Sequence, residues 1–127
     1  MPPRLTTVVS PPRCGSTWLY NAIRLVFRSA GYAVKPDEVS TDPQETMRIV
    51  AEAARDFDGR IVYVAKSHSP FSPCGDGVRA ATILRDPRDM LVSFRAFPNA
   101  AQADADALEI VGAMIGLYDH IAQSRGR

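Results

Sequence analysis

Three short apolar runs, each closed by a turn signal and separated by stretches of helical period, constrain this chain most. Leu5 to Ser10 is apolar and β-branched and stops at Pro11-Pro12, and Ile61 to Ala65 and Ala80 to Leu84 read as further buried strands. Between them lie amphipathic patterns. Trp18, Leu19, Ala22, Ile23, Val26 and Phe27 share one helical face that ends at Gly31. Asp42-Pro43-Gln44-Glu45 has the form of an N-cap, a first-turn proline and an acidic third position, opening a helix with Met47, Val50, Ala51 and Ala54 at helical spacing that Asp58-Gly59 stops. Asp86-Pro87-Arg88-Asp89 repeats that capping logic ahead of Met90, Leu91 and Phe94. A last helix is expected from near Asp104 to Gln123, with Leu108, Val111, Ile115, Tyr118 and Ala122 as its apolar stripe. Strands that alternate with helices imply an α/β fold, a parallel sheet flanked by helices.

One connection is tight. Only Ser67 to Val78 joins the second and third runs, close to the lower limit of about a dozen residues for a parallel crossover. A hairpin there would put His68 and Arg85 at opposite ends of the sheet, so a site shared between them requires the strands to be parallel.

With 127 residues the chain suits a single domain, 1–127. Its 15 basic and 14 acidic side chains leave a formal charge of +1, which argues against broad electrostatic capture of nucleic acid or an anionic membrane. A small anion site, needing only a few placed cations, stays open. No apolar run approaches the roughly 20 residues that cross a bilayer. Met1-Pro2-Pro3-Arg4 lacks the apolar stretch of a secretory signal. Cys14 and Cys74 have no metal-ligand spacing around them, so the expectation is a cytoplasmic setting with free thiols and no metal site; a disulfide between the two stays open, though nothing requires one.

Chemistry concentrates in three segments. Pro11-Pro12-Arg13-Cys14-Gly15-Ser16-Thr17-Trp18 lies between a strand and a helix, where outward-facing amides carry partial positive charge and suit an oxyanion. Gly15 allows close backbone approach, Ser16 and Thr17 add hydroxyl donors, and Arg13 adds a fixed charge. A magnesium-dependent nucleotide loop would carry Lys immediately before Ser/Thr; Gly15 stands there, which disfavours a small-molecule kinase. Lys66-Ser67-His68-Ser69-Pro70 follows the second strand, and carboxyl ends of parallel strands are where ligands bind. A neutral imidazole can take a proton from a hydroxyl nucleophile, and a cation two residues away can neutralise a transferring group. In Arg85-Asp86-Pro87-Arg88-Asp89-Met90-Leu91-Val92-Ser93, Arg85 ends a strand and Ser93 lies about two turns into the next helix, so both can reach one phosphate. Each segment also has a plain structural reading: an N-cap before a buried Trp, a loop-capping His, and a capped helix start.

Taken in order, the segments resemble the cytosolic and bacterial sulfotransferases that use 3'-phosphoadenosine 5'-phosphosulfate (PAPS). Pro12-Arg13-Cys14-Gly15-Ser16-Thr17-Trp18-Leu19 is similar to the 5'-phosphosulfate loop of that family, a basic residue, a small residue, then Gly-Thr-Thr-Trp. Arg13 stands where lysine is common, and Cys14 where serine is usual. The resemblance implies that Arg13, Cys14, Gly15, Ser16 and Thr17 surround the 5'-phosphate, with Trp18 against the adenine. Lys66-Ser67-His68-Ser69-Pro70 resembles the Lys-Thr-His-x-Pro segment, which implies His68 as catalytic base and Lys66, with Arg13, on the sulfuryl group. Arg85 and Ser93 match the pair that holds the donor's 3'-phosphate. The implied fold is the P-loop-like sulfotransferase fold, a parallel sheet with flanking helices. Family members usually continue into further strands and a basic, glycine-containing C-terminal segment; Ser124-Arg125-Gly126-Arg127 is no counterpart, so the fold is expected to be truncated.

The leading expectation is therefore sulfuryl transfer from PAPS to an acceptor hydroxyl or amine, without a metal. The alternative is a non-catalytic or truncated nucleotide-binding module. An incomplete sheet edge would favour a homo-oligomer.

Overall fold

Leu5–Val9 forms β1, and all five of its residues are buried, as its unbroken apolar and threonine composition demands. The computed structural model describes residues 3–39, 42–56, 58–68 and 77–96, together with residues 112, 115, 116, 118, 119, 122 and 123. Within them the chain runs β1, α1 (Ser16–Ser29), β2 (Ala33–Lys35), α2 (Pro43–Arg55), β3 (Ile61–Ser67), β4 (Val78–Ala81) and α3 (Pro87–Arg95). The result is an α/β fold whose sheet has four strands, in the order β2-β3-β1-β4, with every pairing parallel.

β1 lies between β3 and β4. Val9 pairs with Ser67 and Val8 with Ala81, so the carboxyl ends of all three strands reach the same edge. The tight link between the second and third predicted strands thus crosses over β1, and the hairpin alternative is excluded. β4 spans Val78–Ala81 rather than the expected Ala80 to Leu84. Leu84 is half exposed beyond its end, so the apolar run there marks the strand's exit and not its body.

The two sheet faces carry separate cores. Val8, Val62, Val64 and Val34 pack with Tyr20 of α1, joined by Leu19, Ile23 and Phe27. Leu5, Tyr63 and Ala65 point the other way and pack with Ile49 and Ala53 of α2. Strands buried on both faces have no polar alternation, which is the pattern the sequence shows.

The buried helical faces overlap the apolar stripes expected from sequence only in part: on α1, Leu19, Ile23 and Phe27 pack on the core, but Trp18 and Val26 do not. On α1, Trp18, Leu25 and Val26 are exposed by 69, 65 and 66% of their surface, while Ser16, Tyr20 and Arg24 are buried. Arg24 is tolerated inside because its guanidinium lies over the Tyr20 ring, donates to Tyr20 Oη at 3.0 Å and donates to the Asp37 carbonyl at 3.1 Å. That bond ties α1 to the segment following β2. On α2, Ile49 and Ala53 are buried, whereas Met47, Ala51 and Ala54 are exposed; of the expected stripe only Val50 packs on the core.

The helix ends follow local chemistry. Asp42 caps α2 by accepting from the Gln44 N–H at 2.9 Å, with Pro43 in the first turn, as read from sequence. α2 stops at Arg55 with Asp56 as its cap, three residues short of Asp58-Gly59. Gly31 leaves α1 in a left-handed conformation (φ 88°), and the Gly31 and Tyr32 amides bond back to the Arg28 and Phe27 carbonyls while Tyr32 meets the Phe27 ring edge-on. β2 follows at once. It was not anticipated, since it is three residues long and buries only Val34.

The expected last helix begins outside the described residues. The described residues between Gly112 and Gln123 are helical, with Tyr118 half-buried and Ile115 exposed. Cys74, Ser69, Pro70 and His120 also lie outside them. Among the described residues no helix is long and apolar enough to cross a membrane.

Candidate functional site

At the carboxyl edge of the sheet, the loop after β1 must turn from a buried strand into α1 within Ser10–Gly15. Arg13 and Gly15 both take left-handed backbone, at φ 63° and 95°. For Arg13 this conformation is costly, and such residues persist where their surroundings enforce them. Cys14 is buried beneath the loop, its thiol donating to the Pro11 carbonyl at 2.7 Å and its side chain packed with Met90, Ile83 and Tyr118. The small third core holds the loop onto α3.

Gly15 is the N-cap of α1 and supplies no side-chain acceptor, and the helix has no acidic residue in its first turn. No side-chain cap bond satisfies the first amides of this 14-residue helix, whose residues Ser16 and Thr17 line the cleft. Lys66, the penultimate residue of β3, donates from Nζ to Thr17 Oγ1 at 3.0 Å. The Thr46 hydroxyl of α2 in turn donates to the Lys66 carbonyl at 2.8 Å.

His68 follows β3 directly. Its Nδ1 lies 2.8 Å from the Ser10 carbonyl oxygen. A carbonyl only accepts, so the hydrogen bond requires a proton on Nδ1 and leaves the lone pair of the neutral ring on Nε2. On the other flank, Arg13 Nε and Nη2 donate to Ser93 Oγ at 3.0 and 2.9 Å, linking the loop to α3. Arg85 reaches the Arg13 carbonyl at 3.4 Å and stands 3.8 Å from the Asp89 carboxylate, while its own carbonyl accepts from the Tyr118 hydroxyl at 3.0 Å.

These residues surround one cleft of about 420 Å³, lined by Pro12, Arg13, Gly15, Ser16, Thr17, Lys66, His68, Arg85 and Ser93. The volume is that of an ordinary small-molecule site. Three basic side chains and an imidazole line it, and no carboxylate does so among the described residues. Asp86 stands next to Arg85 in the chain, but its charge is committed elsewhere. Hydrogen bonds from the Arg88 side chain and backbone N–H hold its carboxyl down at about 2. An anion with several oxygens, met by guanidinium, ammonium, hydroxyl and helix-terminal amides, is the chemistry this arrangement accommodates.

Of the ten residues singled out from sequence, eight line the cleft: Arg13, Gly15, Ser16, Thr17, Lys66, His68, Arg85 and Ser93. Cys14 does not, being under the loop rather than on it. Trp18 does not either; it leaves the first turn of α1 toward solvent. Sequence reasoning missed Pro12, which lines the cleft, and Ser10 and Thr46, which hold His68 and Lys66 through main-chain and hydroxyl bonds. No residue-type signal marks a backbone acceptor, so Ser10 had none. Comparisons of this chain with protein-family models, with curated proteins and with solved structures found no match.

Proposed function

We propose that the cleft binds an adenosine nucleotide carrying phosphates at both its 5' and 3' positions, and that the chain transfers a sulfuryl group from PAPS to an acceptor hydroxyl or amine. The observation that carries this reading is the convergence of three sequence segments, dispersed between Arg13 and Ser93, on one carboxylate-free cleft at the sheet edge. The fold underlying it would be a P-loop-like sulfotransferase fold.

In this reading the amides of α1, with Ser16, Thr17 and Arg13, hold the 5' phosphosulfate end, and Arg85 with Ser93 holds the 3' phosphate. The bond from Arg13 to Ser93 joins these two subsites, so the loop and α3 are set relative to each other before a donor arrives. His68 takes the acceptor's proton on Nε2. The acceptor oxygen or nitrogen then bonds to sulfur as the bond from sulfur to the 5'-phosphate oxygen breaks. Lys66, already placed on Thr17 beside the loop, offsets charge on the sulfuryl oxygens and the leaving phosphate. The buried Cys14 thiol is unpaired, which suits the cytoplasm as the site of this activity.

The first test is the thermal shift of the purified chain with adenosine 3',5'-bisphosphate, with AMP and ATP as controls. A hundredfold excess over the dissociation constant should stabilise the folded state by about 2.7 kcal/mol. Arg85→Ala should abolish the bisphosphate shift. His68→Ala should keep it while losing turnover in an acceptor screen with labelled donor. An equal response to AMP, or turnover that survives His68→Ala, would overturn the reading.

A further inference from the structure

The clasp between the ends of β1 and β3 has a chemical consequence for His68. Ser10, one residue beyond β1, donates its N–H to the Ser67 carbonyl at 3.2 Å, continuing the ladder one step past the strand. Its own carbonyl then meets Nδ1 of His68, the next residue along β3, at 2.8 Å. The direction of that carbonyl depends on the ψ angle of Ser10, and the following residue is Pro11. A proline ring clashes with a helical conformation of the residue before it and confines it to extended backbone. Pro11 is itself fully buried, and its carbonyl accepts from the Cys14 thiol, which fixes the proline in place. The Ser10 hydroxyl takes no part: it is buried and makes no hydrogen bond among the described residues.

We propose that Pro11 is a positioning residue for His68: by holding Ser10 extended it aims the Ser10 carbonyl at Nδ1 and locks the neutral imidazole as the Nδ1–H tautomer. Nε2, in a ring that lines the cleft, is then the nitrogen with a free lone pair. A histidine free to choose its tautomer would spend part of its time with the proton on Nε2, where it cannot act as a base toward the cleft. The catalytic meaning of the lock rests on the sulfuryl-transfer reading above, whereas the tautomer itself is independent of any substrate.

The test is a long-range proton–nitrogen NMR spectrum of the full chain carrying His120→Gln, which leaves His68 as its one imidazole. At a pH where the ring is neutral, the expected spectrum shows a protonated Nδ1 and an unprotonated Nε2. Pro11→Ala should move both nitrogen shifts toward the average of two exchanging tautomers, and Ser10→Ala should leave them unchanged. Should Pro11→Ala not fold, Pro11→Val makes the same comparison. An Nε2–H tautomer without the proline substitution, a folded Pro11 variant that keeps a pure Nδ1–H signal, or a loss of the lock in Ser10→Ala would each overturn the proposal. Adding adenosine 3',5'-bisphosphate to the same sample reads donor binding separately, so the tautomer and the functional reading can fail independently. If both hold, Pro11→Ala lowers kcat more than it changes the donor KM.

Discussion

Gly15, in the loop that lines the cleft, is poorly replaceable. Its φ of 95° is a conformation that side chains resist, and a Cβ there would sit 3.4 Å from Ile83 Cδ1. Gly15→Ala should therefore cost about 1–2 kcal/mol, read as a lower urea midpoint with an unchanged slope. The response to adenosine 3',5'-bisphosphate should weaken in parallel, because the same turn presents the α1 amides. A second residue-scale prediction concerns Tyr63, in β3. Burial, followed by the 2.6 Å hydrogen bond to the Asp56 carboxylate, pushes its hydroxyl up to about 12. A group raised above its ordinary value of 10 contributes stability that is fully present below pH 10 and disappears as pH climbs through the folded value. Between pH 10 and 12 the wild-type melting midpoint should thus fall faster than that of Tyr63→Phe. Parallel curves would show that the bond does not distinguish folded from unfolded chain. Neither property is visible in the sequence: a Gly-Ser-Thr triplet suggests a phosphate loop, but the positive φ of Gly15 and the Asp56 partner of Tyr63 arise only from folding.

Among single elements, β1, β3 and the helix starts were more legible than the helical faces, whereas β2 was missed and β4 lies ahead of its apolar run. β1 and β3 lie where their apolar runs lie, because a strand buried on both faces has no face to misassign. The helices are different. An apolar residue at helical spacing marks a stripe, but a short helix rich in Ala, Val and Met offers two overlapping stripes. Packing then selects one. In α2 the selected stripe is Ile49 and Ala53 against Leu5, Tyr63 and Ala65. Ile49→Ala should cost about 2–5 kcal/mol by cavity formation, whereas Met47→Ala should stay within about 0.5 kcal/mol. Chemical denaturation of the two variants separates them, and equal losses would return Met47 to the core. In α1 the choice is odder, since it buries Arg24 and exposes Trp18. The guanidinium is satisfied by Tyr20 and a carbonyl, at hydrogen-bonding distances no periodicity argument anticipates.

Seen as a whole, the molecule is organised around β1, which pairs on both sides and supplies both the sheet centre and the cleft loop. Its residue Val8 and the β3 residues Val62 and Val64 are fully buried, while β4 is partly exposed along its length and β2 has three residues. Native-state hydrogen exchange should follow this gradient. Amides of β1 and β3 should open only with global unfolding, and those of β4 and β2 through cheaper local events. Uniform protection across the four strands would contradict it. The gradient also bears on the cleft: Arg13, Lys66 and His68 are attached to the two most buried strands, whereas Arg85 and Ser93 follow the edge strand β4 and are held to the loop by the Arg13–Ser93 and Arg85–Arg13 bonds.

The layer type was legible from the residues alone, because short apolar runs bounded by turn signals and separated by helical patterns fit a sheet covered on both faces. The sequence also pointed to the three segments that meet at the cleft, since eight of the ten residues singled out from them line it. Tertiary structure alone decided that β1 separates β3 from β4, so that the carboxyl ends of all three share one edge. It also decided that Cys14 and Trp18 leave the site, and that a main-chain carbonyl orients His68. The reason is physical: strand order, helix rotation and backbone acceptors depend on contacts between residues distant in sequence, and side-chain type encodes none of these contacts directly.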